Sequence, residues 1–190
     1  MTIEELHQLI RGRRSVYPPQ YLDKVIPDQL IKNMLENANW APTHRLTQPW
    51  RFKVIKGAAR KKFGTFMAEK YRSMTNIAQF SIVKYEKFKT NPQKAGAIIA
   101  ICMQRDPKER VPEWEEVAAT AMAVQNIWLT ASAYGIGAYW SSPGMIQHFS
   151  EFSPLESGES CIGLFYMGYY QPVNAKPPRT PIEDKVEWIQ

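Results

Sequence analysis

Cysteine is scarce in this sequence, with two residues among 190. Cys102 lies in the run AIIAICM and Cys161 in SCIGLFY, and neither has a cysteine or histidine beside it. This spacing matches neither a CxxC redox pair nor a metal-ligand motif. We therefore expect two buried free thiols and no bound metal, because an isolated cysteine in an apolar strand behaves as a small hydrophobic residue.

Long apolar runs are missing as well. No stretch of the chain approaches the roughly 20 apolar residues that a membrane-spanning helix requires. The first residues, MTIEELHQLI, form an acidic amphipathic pattern without the basic and apolar regions of a signal peptide. The sequence therefore predicts a soluble, cytoplasmic protein.

The sequence also lacks the signatures of common hydrolases: GxSxG, HExxH, a Walker loop and paired carboxylates. His7 falls in a helical pattern and His148 precedes a loop, so both are interpreted as surface residues. The formal net charge of +6 and the pI near 9.3 favour an anionic partner, such as nucleic acid, an acidic surface or a phosphorylated cofactor. Zinc-finger spacing, RNP-like strands and a continuous Lys/Arg stripe are all absent, which disfavours nucleic acid.

Helices and strands can be predicted from capping residues and apolar periodicity. Thr2 and Glu5 make a capping box for a first helix that runs to about Arg11, and Pro27 begins a second that runs to about Asn39. Two surface helices are expected over 57–90, and a long, buried helix in PEWEEVAATAMAVQNIWLTASAYG. The predicted strands are WRFKVI, AGAIIAICMQ, IGAYWSS and CIGLFYMGYY. One layered α and β domain over residues 1–190 is predicted.

The last residues, QPVNAKPPRTPIEDKVEWIQ, form a proline-rich arm from about 170 to 190. The arm ends in the apolar residues Val186, Trp188 and Ile189, which an extended segment cannot bury by itself. We expect it to wrap over a second subunit. The alternative is that it packs on its own domain.

Basic residues concentrate at two places. The segment RGRRSVY ends the first helix with Arg11, Arg13, Arg14 and Ser15, whose guanidinium and hydroxyl groups can hold a phosphate. Taken alone, it is better explained as a solvated basic helix end that complements the helix dipole. The arm adds Lys176 and Arg179. The glycines of GIGAYW lack the third glycine of a dinucleotide-binding loop, and they follow a helix where that loop follows a strand.

Five short motifs together resemble the FMN-dependent nitroreductase family across almost the whole chain. In order, they are RRS, APTHRLTQPWRF, AYGIGAYWSSPG, CIGLFYMGYYQP and the late Arg179. The resemblance implies an α+β fold of three layers, with helices on both sides of a mixed, mostly antiparallel sheet of about four to five strands. It further implies a homodimer with exchanged C-terminal arms and an FMN in each of two interface clefts. The implied reaction is two-electron transfer from NADH or NADPH to nitroaromatics, quinones or similar flat acceptors, by a ping-pong mechanism.

The resemblance also assigns roles to residues of the first helix end and the arm. Arg13, Arg14 and Ser15 match the residues that bind the FMN phosphate and ribityl chain. Arg179 matches the basic phosphate ligand near the C-terminus. Tyr17 stands where many members carry a basic residue that contacts the flavin.

The turn APTHRLTQPW matches a family loop that reaches across the interface to the flavin of the other subunit. Thr43 and His44 occupy its two serine positions, and Gln48 is retained with the Pro and Trp that follow it. Leu46 replaces an asparagine, as in a compact subgroup that also has histidine at the position of His44. The resemblance thus implies that His44 contacts the flavin, as an orienting group in preference to a proton donor.

The segment Trp140, Ser141 and Ser142 approximately matches a strand that lies along the flavin ring. In such enzymes the flavin carries the hydride chemistry, so no catalytic side chain is needed. Two other classes of function remain open. A non-catalytic or specialised flavin binder would share the phosphate motifs, and a basic nucleic-acid-binding domain would share only the charge.

Overall fold

A computed structural model describes residues 1–172 and 178–190, so the predicted ligand Lys176 lies outside the described residues. The described chain begins with a helix stabilised by the predicted capping box, in which Glu5 N donates to Thr2 Oγ1 at 3.2 Å. The helices are α1 (Ile3–Gly12), α2 (Asp28–Ala38), α3 (Ala59–Met74), α4 (Ile82–Lys94) and α5 (Glu113–Ala133). All five lie where the sequence predicts them, except that α4 continues past the predicted end at residue 90 to Lys94.

The predicted strands all form and build one antiparallel sheet. They are β1 (Trp50–Ile55), β2 (Ala97–Gln104), β3 (Ile136–Ser141) and β4 (Glu159–Tyr169), in the spatial order β1-β2-β4-β3. One parallel bridge, between Ser15 and Ala138, attaches the N-terminal segment to the sheet and makes its pairing mixed. The prediction of an α+β fold with a mostly antiparallel sheet is confirmed.

Strand β2 lies at the centre of the core and is buried on both faces. On one face, Ile99 and Ile101 pack with α2 and α5 in a cluster that contains Met34 and Ile127. The opposite face packs against α3 and the 3₁₀ helix Gly144–Glu151, in a cluster that contains Ile98, Ala100, Phe63, Met67 and Phe149. Side chains of a strand alternate between the two faces, so helices cover the sheet on both sides in three layers.

Helix α5 differs from the prediction that it is buried on several faces. Its buried residues form a single stripe, which includes Ala119, Ala123 and Ile127. Outside the stripe it exposes apolar side chains, among them Trp114 at 69% exposure, with Val117 and Met122. The prediction is wrong for the single chain, because the small apolar residues around the helix do not all face protein.

The two thiols are buried and free, as predicted. The structure adds that Cys102 and Cys161 face each other across β2 and β4, at a point where the register of the two strands shifts. The neighbouring Cys161 thiol, together with burial, raises the pKa of the Cys102 thiol. Their separation of 59 residues in sequence had concealed this contact.

The described part of the arm, residues 178–190, is exposed throughout. Its tip leaves Trp188 85% and Ile189 92% exposed, beside a short 3₁₀ turn at Glu183–Lys185. The tip therefore does not pack on its own domain in the described residues. Exchange of the arm between subunits stays a prediction.

Candidate functional site

The N-terminal segment runs beside β3 and brings two predicted site segments together. Val16 N donates to Ala138 O at 3.0 Å, next to the bridge between Ser15 and Ala138. The approach is so close that a Cβ at Gly137 would lie 2.7 Å from the Cβ of Val16. The second glycine of GIGAYW therefore serves this packing, and residues 13–15 lie beside the strand that ends in Trp140 and Ser141.

Arg13 is half-buried and its guanidinium carbon lies 4.3 Å from the ring centroid of Trp128 on α5. Its Nη1 is buried without a hydrogen-bond partner. Burial lowers the pKa of Arg13, and the positive charges of Arg179 and Arg14 lower it further. Buried polar groups are normally hydrogen-bonded, so an orphaned cationic donor indicates a place for an anionic acceptor.

Arg14 is held against the end of α1, where its Nη1 donates to the carbonyl oxygens of Arg11 and Arg13 at 2.6 and 2.9 Å. The indole Nε1 of Trp128 donates to Arg14 O at 3.3 Å and so fixes this backbone against α5. Arg179 is exposed, and its Nη1 donates to Pro178 O at 3.1 Å. Although far away in sequence, it lies close enough to Arg13 to affect its pKa.

The structure thus brings four predicted ligands into one neighbourhood, the arginine site: Arg13, Arg14, Ser15 and Arg179. Within residues 1–172 and 178–190, no carboxylate forms an ion pair with Arg13 or Arg179. A phosphate group would supply acceptors to the orphaned Nη1 and would offset the mutual repulsion of the guanidinium groups. The residues present therefore fit the phosphate end of FMN.

The end of β3 carries the predicted ring segment. The indole of Trp140 lies directly over Gly163, where any Cβ would overlap it, and packs at the edge of the α2/α5 core. Ser141 is half-buried at the end of the strand and Ser142 is exposed beyond it. Ser141 lines a cavity on the other face of the sheet.

Tyrosines line the sheet beside this segment. The rings of Tyr17 and Tyr139 are 4.9 Å apart, and Tyr139 stacks on Tyr166 at 5.2 Å. Tyr17, where the resemblance predicts a basic side chain, thus supplies an aromatic ring. Burial raises the pKa of the Tyr139 hydroxyl above its ordinary value, so this group stays protonated at neutral pH.

The turn between α2 and β1 has an unusual backbone. Arg45, Leu46 and Gln48 all have positive φ, at 51°, 54° and 43°, a region that costs side-chain-bearing residues roughly 1 kcal/mol or more each. Thr43 holds the turn together, because its Oγ1 accepts from Gln48 N at 3.1 Å and lies 3.1 Å from the hydroxyl of Thr47. The turn leaves Leu46 79% exposed. Strain of this kind typically accompanies a functional role.

His44 lies on the same turn and pairs with Glu115 in the first turn of α5, at 2.6 Å from Nδ1 to Oε2. Glu115 and Trp128, the neighbour of Arg13, are separated by 13 residues of α5, an axial rise of about 20 Å. The single chain therefore does not bring His44 to its own arginine site. Thr43 and Gln48 lie with His44, far from Arg13.

Comparison with known proteins identifies the chain. The sequence model of the “Nitroreductase family” matches residues 10–169. This protein belongs to the nitroreductase family. The Bacillus subtilis (strain 168) protein “Putative NAD(P)H nitroreductase YfhC” is 31% identical over 193 residues, with 96% of each chain covered.

Solved structures of the family support the same assignment. A nitroreductase-like family protein from Bacillus cereus superposes with a TM-score of 0.81 at 29% identity, covering 97% of this chain and 96% of the other. A protein from Desulfovibrio desulfuricans, solved in complex with FMN, superposes with a TM-score of 0.71 at 24% identity over 97% and 96% of the two chains. The predicted family and fold are both confirmed.

The nitroreductase chain has a second group of arginines, around the start of α5. Arg105 pairs with the buried carboxylate of Glu116, and Glu116 Oε1 also accepts from Asp106 N at 2.9 Å. Arg110 Nε donates to Asp106 Oδ2 at 2.7 Å, and this hydrogen bond lowers the pKa of Asp106 to about 2. These four residues, the neutralised cluster, connect the end of β2 to α5.

Several side chains near the candidate site of this nitroreductase could not be predicted from its sequence. Trp128 supports Arg13, and Glu115 holds His44, but neither belongs to a recognisable motif. Lys84 and Lys87 line the same cavity as Ser141 and Tyr139. The only available signal was their three-residue spacing on a helix, which is common on solvent-exposed faces. Among the described residues, no helix is both long and apolar enough to cross a membrane.

Proposed function

We propose that this protein is an FMN-dependent oxidoreductase that transfers two electrons from NADH or NADPH to nitroaromatic, quinone or similar flat acceptors. One observation carries the proposal: the buried, unpartnered Nη1 of Arg13 in a site that also contains Arg14 and Arg179. The name of the Bacillus subtilis relative, “Putative NAD(P)H nitroreductase YfhC”, and the FMN complex of the Desulfovibrio protein support it.

FMN would supply the hydride chemistry, and the chain would supply position and electrostatics. Arg13, Arg14, Arg179 and the Ser15 hydroxyl would bind the phosphate and ribityl chain. The adjoining strand end, Trp140–Ser142, would flank the ring. The described residues form no acid–base pair in this neighbourhood, which agrees with a reaction that needs orientation more than proton transfer by side chains.

A homodimer would complete each site. The turn exposes Trp40 and Leu46, α5 exposes Trp114, and the arm exposes Trp188. Isolated monomers rarely expose so many large apolar side chains to water, so we expect a second subunit to bury them. His44 and Arg13 contact parts of α5 that are about 20 Å apart along its axis. This separation supports a site built from both chains, in which His44, Thr43 and Gln48 would face the partner subunit's flavin.

The donor and the acceptor would use the same open face in turn, which is a ping-pong mechanism. A flat, electron-poor acceptor would stack where the nicotinamide ring had been, so it would bind only after the oxidised nicotinamide leaves. The net charge of +6 would favour anionic donors and acceptors in the cytoplasm, where reduced nicotinamides are available.

The visible spectrum of the purified protein tests the proposal first, followed by oxidation of NADH or NADPH with a quinone or nitroaromatic acceptor. We expect a yellow protein with about one flavin per chain and steady turnover. A yellow protein that does not oxidise either nicotinamide would instead be a specialised flavin binder. A colourless protein that cannot be reconstituted with FMN would overturn the proposal, and steeply salt-dependent binding to DNA would then favour the nucleic-acid alternative.

Truncation before Glu183 tests the dimer arm. Removing residues 183–190 takes away Val186, Trp188 and Ile189, so the arm would lose its apolar tip. We expect weaker dimerisation in light scattering and, with it, loss of flavin. A truncated protein that remains a flavin-loaded dimer would show that the arm does not join the subunits.

A further inference from the structure

The two thiols of the chain lie directly opposite each other where β2 and β4 pair. Cys102 is the register partner of Cys161 in this antiparallel ladder. Both side chains belong to the cluster on the α3 side of the sheet, so they share one face. Opposed residues of antiparallel strands have Cα atoms roughly 4.5–5.5 Å apart, and a disulfide needs roughly 4.4–6.8 Å. The backbone therefore already meets the distance requirement of a disulfide.

An irregularity in β4 creates this pairing. Gly163 lies opposite Ile101, and the next pair is Cys161 with Cys102, so Ile162 is passed over in the register. In a regular ladder, Ile162 would lie opposite Cys102. It packs instead against the α2/α5 cluster on the other face of the sheet. The irregularity thus turns the second thiol toward the first, as β-bulges commonly re-aim a side chain.

The two thiols differ in access and in acidity. Cys102 is fully buried, whereas Cys161, near the start of β4, keeps 9% of its surface exposed. The neighbouring Cys102 thiol and the ammonium group of Lys53 lower the pKa of Cys161, against the opposing effects of burial and of Glu159. The thiolate is the form of cysteine that reacts with oxidants. Cys161 is therefore the thiol that a small oxidant would attack, and Cys102 is the thiol held next to it.

A metal site is another common use of paired thiols. Among the described residues, no group of three or more histidine, cysteine, aspartate or glutamate side chains could hold a metal ion. The nearby carboxylate of Glu159 lies 3.5 Å from the ammonium nitrogen of Lys53. Packing alone would not require the two thiols to be opposed. Redox chemistry is the role that uses this arrangement.

We propose that Cys161 and Cys102 form a reversible disulfide when the folded protein reacts with hydrogen peroxide. The Cys161 thiolate attacks one peroxide oxygen, so an S–O bond forms, the O–O bond breaks, and the released hydroxide takes up a proton to become water. This step leaves a sulfenic acid on Cys161.

The Cys102 sulfur then attacks the sulfur of that sulfenic acid. An S–S bond forms, the S–O bond breaks, and the hydroxyl group leaves as water with the proton of Cys102. In total, two thiols lose two electrons and one peroxide is reduced to two water molecules. A dithiol reverses the oxidation by thiol–disulfide exchange. None of these steps depends on the proposed flavin reaction.

The intact mass of folded wild-type protein tests the proposal. After treatment with dilute hydrogen peroxide, we expect a single chain lighter by two hydrogen atoms, a linked peptide pair that contains Cys102 and Cys161, and full recovery with dithiothreitol. The rate should rise in proportion to the peroxide concentration, because Cys161 is attacked without opening of the core. A rate that levels off would show that only an opened state reacts, which would contradict the proposal. A chain that only gains oxygen, or that links to a second chain, would overturn it.

Single variants assign the role of each thiol. In Cys102→Ala, the reaction should stop at the sulfenic acid of Cys161, which dimedone traps as an adduct visible by mass. Cys161→Ala is the matched control, and its buried Cys102 should gain no adduct over the same time. Circular dichroism checks that both variants fold, and the wild-type masses and rates decide the question if either does not. An adduct on Cys102 in the control, or none on Cys161 in Cys102→Ala, would overturn the assignment.

Discussion

Two groups of arginines in this chain have opposite surroundings. In the neutralised cluster, Arg105 and Arg110 face the carboxylates of Glu116 and Asp106, and the hydrogen bonds between them raise the pKa of both arginines. In the arginine site, no carboxylate among the described residues forms an ion pair with Arg13, and burial together with the charges of Arg179 and Arg14 lowers its pKa. One group connects β2 to α5, and in the other neither Arg13 nor Arg179 has a carboxylate partner among the described residues.

The contrast shows how to distinguish a structural arginine from one that binds a ligand. A structural arginine is satisfied within the fold, so its removal costs stability. The arginine site costs stability as it stands, since burial and repulsion both act against Arg13. An anionic ligand that binds this site would offset the loss of folding stability.

The largest effect is expected from the double variant Arg13→Ala/Arg179→Ala. The FMN phosphate would lose charge-assisted hydrogen bonds worth roughly 1.5–3 kcal/mol each, so affinity should fall at least about 100-fold. The ratio of flavin to protein absorbance after dialysis measures the loss. Arg110→Ala is the matched control, because it removes a guanidinium that already has a carboxylate partner. Equal flavin retention in both proteins would remove the distinction between the two groups.

The second prediction concerns Glu116→Gln in the neutralised cluster. It leaves Arg105 without its anionic partner and weakens the contact with Asp106 N. We expect the melting temperature to fall by about 5 °C or more, since breaking a buried pair is strongly destabilising. Flavin content at low temperature should not change. A loss of flavin without a loss of stability would contradict the structural role of this cluster.

A smaller effect is expected at acidic pH. The folded-state pKa of Asp106, about 2, lies below the roughly 3.9 of an unfolded aspartate, so its contribution to stability is complete above about pH 4 and disappears as pH falls toward 2. Unfolding free energies of the wild type and Asp106→Asn should therefore differ at neutral pH and converge in acid. A difference that is constant from pH 6 to about pH 2 would refute this, since a paired carboxylate loses its advantage once protonated.

The smallest effect on the fold is expected for His44→Ala. The pair with Glu115 is largely exposed and should contribute below about 1 kcal/mol to stability. If His44 contacts a flavin, FMN binding should nevertheless weaken by about 1–3 kcal/mol, as expected for one hydrogen bond at a buried cofactor. Unfolding curves and flavin titrations of the same variant separate the two effects. Unchanged titrations would leave His44 with only its contact to Glu115.

Mixed dimers determine which subunit's arginine site His44 serves. Pairing an Arg13→Ala subunit with a His44→Ala subunit puts both defects in one cleft if the two residues come from different chains. About one intact flavin site per dimer should then remain, because a symmetric interface builds each site from both subunits. Two sites with one defect each would instead assign His44 to the flavin of its own chain.

The elements of the fold were predictable because each depends on local chemistry. Thr2 and Glu5 cap α1, and the apolar run from Ala97 has the length of a buried strand. Arg13 and Arg179 could be predicted as ligands from motif order, whereas the orphaned Nη1 could not. It depends on the burial that Trp128 provides from 115 residues away along the chain.

Two other features could not be predicted because they also depend on more than local sequence. The exposure of one side of α5 was not predicted, because the sequence does not show whether its small apolar residues pack against their own chain or face solvent. The three positive φ angles of the turn were also unexpected, because Arg45, Leu46 and Gln48 are not residues that favour a left-handed backbone. Glycine or asparagine would have signalled it.

The facing thiols of Cys102 and Cys161 have a consequence for how the protein is handled. The side chain of Cys102 is fully buried in a strand that is covered on its two faces, so an alkylating reagent can reach it only when the core of the sheet opens. The rate of labelling is then governed by the opening of the sheet and not by the chemistry of the sulfur. The mass increase on labelling of Cys102 therefore measures how often the core of the sheet opens.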